Sequence, residues 1–186
     1  MTTPLTPSGS SPDSANSRLP ARALLRAEEL SVVDGTAAKL ADLLRAKIPP
    51  AVLAVLRGEW LGHPLHPIMV TVPIGAWVAV PVLDVIGQRT AARHLLAFGI
   101  VASLPATATG LVEFTTLDQS QRRVAAVHVA ANSVGISCLG RSWLRRRGDN
   151  TGGLGWTLAG LAFSGLGGAL GGHLSYSQGA GVRRER

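Results

Sequence analysis

Polar and apolar positions along this chain fall into long blocks. Four apolar stretches occupy residues 68–86, 95–112, 124–144 and 154–174, with short polar loops between them. Each has 18 residues or more, the length at which a membrane-spanning helix becomes the expected reading. The first contains one ionisable residue, Asp84, near its far end, and the second contains no charge. The third holds His128, Asn132 and Arg141 and is the weakest of the four; the fourth is uncharged and rich in glycine. Short loops make neighbours antiparallel, so the pattern predicts an all-α, four-helix transmembrane bundle.

Pro73, Pro81 and Pro105 fall inside these stretches. In water they would argue against helices, whereas in a bundle neighbouring groups can satisfy the carbonyls they free. The fourth stretch repeats small residues at Gly160, Ser164, Gly168 and Gly172, with Gly167 and Gly171 as a second pair. Such spacing lets a neighbouring backbone approach closely. It also offers a smooth face on which a flat cofactor could lie.

Ahead of the bundle, residues 21–59 carry the pattern of a short amphipathic helical segment. Leu40, Leu44 and Ile48 recur every four residues, with Ala37 and Ala41 on the same side and Lys39, Arg45 and Lys47 elsewhere. Asp34 is placed to cap this helix. Pro49 and Pro50 end it, and a shorter helix follows from Ala51 to Glu59. The segment suits either the membrane surface or a helical hairpin packed on the membrane domain. Residues 1–20 are rich in Ser, Thr, Pro and Gly and read as a disordered tail. They lack the apolar core of an export signal. The membrane domain is expected over 60–182 and a basic tail over 183–186.

Composition changes this picture little. Lys and Arg outnumber Asp and Glu by 18 to 11, as basic loops flanking membrane spans would require. No stretch interleaves basic and aromatic residues as a nucleic-acid surface would. Cys138 is the single cysteine, so neither an internal disulfide nor a cysteine-held iron–sulfur cluster can form. The chain contains no HExxH, CxxC, P-loop or GxGxxG motif, and no catalytic residue is assigned. Lys and Arg on the N-terminal face outnumber those in the opposite loops by 12 to 5, but by only 6 to 5 within the short flanks that count. With no export signal, both termini are expected on the cytoplasmic side of the cell membrane.

The chemistry lies in the histidines. His63 and His66 each precede a proline, in Trp-Leu-Gly-His-Pro-Leu-His-Pro. A residue before proline is driven towards extended backbone, and proline suits the first turn of a helix. His66 therefore stands where the first span begins. His128 lies four residues inside the third span, roughly 6 Å deep at ~1.5 Å per residue, and His173 lies near the end of the fourth. Counting traversals brings all three to the N-terminal face at similar depth. Glu113 and Asn132 reach the same layer, and His63 sits just outside it. His94 belongs to the opposite face, near Asp84.

Ionisable groups at membrane depth are costly and generally mark function, and neutral imidazole is a ligand for haem iron, zinc and copper. The expected ligands for haem b are His128 with His173 or His66, with Asn132 orienting a neighbour. Arg57, Arg122 and Arg123 are available for propionates. A transition-metal ion held by His63, His66, His128 and His173 is the alternative.

The segments Trp60 to Trp77, LPATATGLVEF, RRVAAVHVAANSV and GGHLSYSQGAGV resemble the DUF2231 family of bacterial transmembrane proteins, over about residues 37–182. The resemblance implies a four-helix membrane domain with His63, His66, His128, Asn132 and His173 at the family's characteristic positions; it assigns no activity. In many relatives a Rieske-type iron–sulfur domain follows the last span. The cysteines for one are missing here, so a redox partner is expected to be a separate, Rieske-type protein.

The leading expectation is thus an integral membrane protein supporting electron transfer at a histidine-lined site, without stand-alone catalytic activity. The alternatives are a non-catalytic membrane scaffold or assembly subunit, and a small transporter of metal ions or protons using His94 and Asp84. Partners are the lipid bilayer, the redox protein and a second copy of the chain in a homo-oligomer.

Overall fold

A computed structural model describes residues 26–147 and 152–180. The expectations for the 1–20 and 183–186 tails lie outside them. Among the described residues the structure is helical, with no strand. Its principal elements are α1 (Asp34–Lys47), α2 (Pro50–Arg57), the single turn α3 (His66–Met69), α4 (Thr71–Val85), α5 (Arg89–Phe114), α6 (Gln119–Arg145) and α7 (Leu154–Gly172). A π-helical turn, His173–Ser177, extends α7.

Local chemistry sets most boundaries. Pro50 occupies the first turn of α2, where its missing donor costs nothing. Gly58, at φ 74°, ends α2 in the left-handed conformation that glycine adopts without strain. Asp118 caps α6 reciprocally: its carboxylate accepts from Gln121 N–H, and the Gln121 side chain accepts from Asp118 N–H. Asp34 departs from expectation. Val33 is the N-cap of α1, and the Asp34 carboxylate reaches instead to Arg123.

Three helical stretches are long and apolar enough to cross a membrane: His66–Val85, Arg89–Phe114 and Leu154–Ser177. α6 is long enough but too polar by composition. Its polar residues, however, are not scattered. α6 and α7 run antiparallel, and a steady register joins them. A Cβ on Gly153 would strike Arg146, one on Gly160 would strike Leu139, one on Gly167 would strike Asn132 and one on Gly171 would meet His128. Ser142 and Thr157 share a 2.8 Å hydrogen bond, and Gly135 lies against Ser164. On α6 the contacting positions are 128, 132, 135, 139, 142 and 146, alternating steps of four and three. That is the heptad spacing of a left-handed helix pair. His128, Asn132, Ser142 and Arg146 thus line a seam against α7, and Ser133, Ser137 and Arg141 face outward with larger apolar residues such as Val129, Val134 and Leu144.

α4 and α5 form a second antiparallel pair of the same spacing. Trp77 fills the space left by Gly99, Val80 and Leu96 are fully buried, and His66 fills the space left by Gly110. α5 also packs on α6, and α4 on α7. One buried cluster, Trp77, Val80, Ala92, Leu96 and Leu139, joins the two pairs. At the N-terminal end, Ala37 and Ala41 of α1 pack with Phe114, Val124, Ala125, Leu170 and Leu174. α1 therefore seats its two alanines on the helix ends. Leu40 and Leu43, with Val55 of α2, remain exposed.

Candidate functional site

The run from Gly58 to Pro67 aims His66 into the protein. Gly58 and Gly62 both adopt φ 74°, and a Cβ on Gly58 would collide with the His63 carbonyl. The chain can therefore reverse tightly twice before Pro67 starts the helical turn that His66 opens. His66 Nδ1 lies 2.8 Å from the Ala106 carbonyl of α5. His128 Nδ1 lies 2.8 Å from the Gly167 carbonyl of α7. The two imidazole rings meet edge to face, 6.2 Å apart between centroids at an interplanar angle of 78°.

This geometry determines where the protons are. A backbone carbonyl only accepts, so in each ring Nδ1 must carry the hydrogen and donate it. Both imidazoles then keep a lone pair on Nε2 when neutral. The Asn132 carboxamide nitrogen stands 3.3 Å from His128 Nε2 and also donates to the His128 carbonyl at 3.0 Å. It also lies 3.5 Å from His128 Nδ1, so it sits over the face of the imidazole and not on the in-plane lone pair of Nε2. Val70 holds the corresponding place four residues after His66.

The other expected residues are placed differently. His173 does not join the ring pair; its Nε2 lies 2.7 Å from Glu28, which also accepts from Gln178 at 2.9 Å. The π turn at the end of α7 turns His173 towards the N-terminal segment. His63 is exposed on the reversing turn. Arg123 is bound to both oxygens of Asp34, at 2.7 and 2.6 Å, and to the Glu28 carbonyl. That guanidinium holds Asp34 well below the usual carboxylate range, at about 2. Arg57 donates to the Thr115 hydroxyl at 2.9 Å, whereas Arg122 Nε is buried without a hydrogen-bond partner. Of the three arginines expected near propionates, Arg123 is thus already committed to another carboxylate. At the opposite end His94 is exposed, and Asp84 is bound by both terminal nitrogens of Arg146, at 2.5 and 2.7 Å. Among the described residues, no three or more His, Cys, Asp or Glu stand together as a metal site.

Sequence reading missed the groups that seat the imidazoles: the carbonyls of Ala106 and Gly167, and the spaces left by Gly110 and Gly171. A signal was available. Gly99, Ser103, Ala106 and Gly110 in α5 have the spacing of Gly160, Ser164, Gly167 and Gly171 in α7. The glycine face of α7 opposite α6 is filled by Leu139, Asn132 and His128. It seats side chains of α6.

Over residues 62–184 the chain matches the profile of the DUF2231 family, described as a predicted membrane protein. No curated protein and no solved structure matches it.

Proposed function

The chain belongs to the DUF2231 family of predicted membrane proteins, and from that premise we propose that it is a multi-pass protein whose four long helices all traverse the bilayer as a bundle, with His66 and His128 forming a two-imidazole site near the face where α4 and α6 begin. α6 joins the spans in this reading because His128, Asn132 and Ser142 turn towards α7, Ser133 and Ser137 donate to carbonyls of their own helix, and Arg141 lies over the Trp156 ring. The site takes haem iron or a transition-metal ion at Nε2 and serves electron transfer to a separate redox protein. Bound iron or copper would supply the one-electron exchange. The protein's own part is to present two neutral imidazoles in fixed tautomers, the usual preparation of histidine for a metal. The carrying observation is that both rings give Nδ1–H to a backbone carbonyl and stand 6.2 Å apart. His173 is engaged with Glu28, and Arg122 is the available cation for an acidic group on the ligand.

A second reading has its own support. Each imidazole is already satisfied at Nδ1 and seated on a glycine, as histidines that only join helices in a scaffold would be. Purification in detergent, an optical spectrum and elemental analysis separate the two. The electron-transfer reading requires a haem band, or stoichiometric metal, lost in His66→Ala and in His128→Ala and kept in His173→Ala. Colourless, metal-free protein from cells supplied with iron, copper and haem precursor would leave the scaffold.

A further inference from the structure

The two helix pairs correspond position by position. Trp77 stands eleven residues after His66, and Leu139 eleven after His128. Each fills the space of a glycine on the second helix of its own pair, Gly99 and Gly160. Asp84 stands eighteen residues after His66, and Arg146 eighteen after His128. On the second helices, glycine, serine, a small residue and glycine recur at identical spacing, and both serines are buried. Each histidine packs against the last glycine of this set and donates Nδ1–H to the carbonyl four residues before it. Between pairs, the first helix of each packs on the second helix of the other.

Two contacts join the first helices of the pairs directly: His66 with His128, and Asp84 with Arg146. In both, a position meets its own equivalent. Only near a two-fold axis can a position touch its equivalent, as in an isologous interface. Two such contacts at opposite ends of the helices define an axis along them, which is the arrangement of parallel repeats in a membrane domain.

We propose that residues 66–110 and 128–171 are two copies of one helix hairpin related by a two-fold axis along the helices, and that Asp84 and Arg146 clasp the copies at one end of that axis so that His66 and His128 meet at the other. Asp84 and Arg146 are positioning residues for the histidine site. Their side chains are 11% and 8% exposed, so the clasp is buried, and no other ion pair joins α4 to α6 among the described residues. The copies differ at two positions of the site, Ala106 against Gly167 and Val70 against Asn132. Asn132 lies over the His128 ring and Val70 holds the equivalent position after His66, so the two imidazoles are alike in tautomer and unlike in the group beside the ring.

Equivalence across an axis makes the two charges exchangeable. The test uses the full chain in detergent, with thermal unfolding and the 15N signals of the histidine rings as readouts. Asp84→Arg and Arg146→Asp alone are expected to lower the unfolding temperature and disturb the neutral Nδ1–H signatures of His66 and His128. The double exchange is expected to restore part of both, because Arg146 also donates to Ser142 and Thr157, at 3.2 and 3.1 Å, and their counterparts Val80 and Leu96 cannot accept. A double variant no better than the singles would overturn the clasp between equivalent positions. A milder pair keeps the test open if the singles do not fold. Val70→Asn with Asn132→Val is expected to shift the ring 15N signals of both histidines as the carboxamide moves from the His128 face to the His66 face; an unchanged His66 signal would count against duplicate copies. Neither measurement needs a cofactor. A protein that passes both and stays colourless therefore removes the electron-transfer reading and leaves the duplicated hairpin standing.

Discussion

The α4–α5 and α6–α7 pairs solve the same packing problem with opposite chemistry. Both are antiparallel, and both meet at positions alternating by four and three. The first seam is apolar and interlocks large with small: Trp77 against Gly99, Val80 and Leu96 fully buried. The second is narrow and polar: Asn132 against Gly167, Gly135 against Ser164, Ser142 bonded to Thr157 and to the Gly153 carbonyl. Lipid tails are as apolar as leucine, so burial of apolar area does little to drive helices together in a bilayer. Close approach and satisfied polar contacts remain, and either seam can provide them. The difference teaches that a helix's average polarity says little about the polarity of its outward face. Even the outward serines of α6 fit this, because Ser133 and Ser137 donate to carbonyls four residues back in their own helix, at 2.8 and 2.7 Å.

The sharpest way to break the comparison is at the Asp84–Arg146 ion pair that joins the two hairpins. Arg146→Ala leaves Asp84 buried without its partner and should cost about 3–5 kcal/mol, read as folded fraction in a denaturant titration in detergent. A loss under about 1 kcal/mol would mean that water already reaches the pair. Next come the matched seam positions. Leu96→Ala in the apolar seam should cost about 2–5 kcal/mol through the cavity it leaves. Ser142→Ala in the polar seam removes the bonds to Thr157 and to the Gly153 carbonyl and should cost about 1–3 kcal/mol. Equal losses would erase the distinction between the seams.

The glycines of α7 give a finer contrast. Gly167→Ala drives a methyl into the Asn132 carboxamide and should cost about 1–3 kcal/mol. Gly168→Ala meets open space and should stabilise the helix by about 0.5–1 kcal/mol. Thermal unfolding of the two variants side by side checks the sign. If Gly167→Ala also stabilises, the register between α6 and α7 is wrong.

The smallest effect concerns the N-terminal segment, which is tied to the second hairpin through Asp34 and Arg123. The Arg123 hydrogen bond lowers the Asp34 pKa from 3.8 to about 2. A carboxylate whose folded value is depressed contributes fully above its unfolded value. Stability should therefore be unaffected by this group above about pH 5 and fall as pH drops through 3.8 towards 2. Asp34→Asn should flatten that part of the acid limb. An unchanged acid limb in the variant would show that the pair does not hold α1 in solution.

The apolar blocks carried much of the helical layout. The stretch 95–112 became α5, extended to 89–114, and 154–174 became α7 with its terminal turn, because length and hydrophobicity are additive along a chain. The third block, 124–144, lies within α6 as expected, although its composition alone is too polar for a span. The convergence of His66 and His128 was legible by counting traversals, since short loops leave antiparallel neighbours as the only arrangement. His173 was not legible. Its direction depends on a π turn and on Glu28, 145 residues away. The repeat escaped notice because the two first helices share few residue types: Trp77 answers to Leu139, Val80 to Ser142, Asp84 to Arg146.

The amino-acid order by itself determined that helices of membrane-crossing length form here, that glycines and small residues line one face of α7, and that imidazoles from separate helices reach one end of the protein. These are properties of local pattern and of chain length. Only the tertiary structure decided which imidazoles meet, which nitrogen of each keeps its lone pair, and that Asp84 answers Arg146. Those outcomes belong to pairs of positions far apart in sequence, and a pair acquires its chemistry only when the register between helices sets the distance.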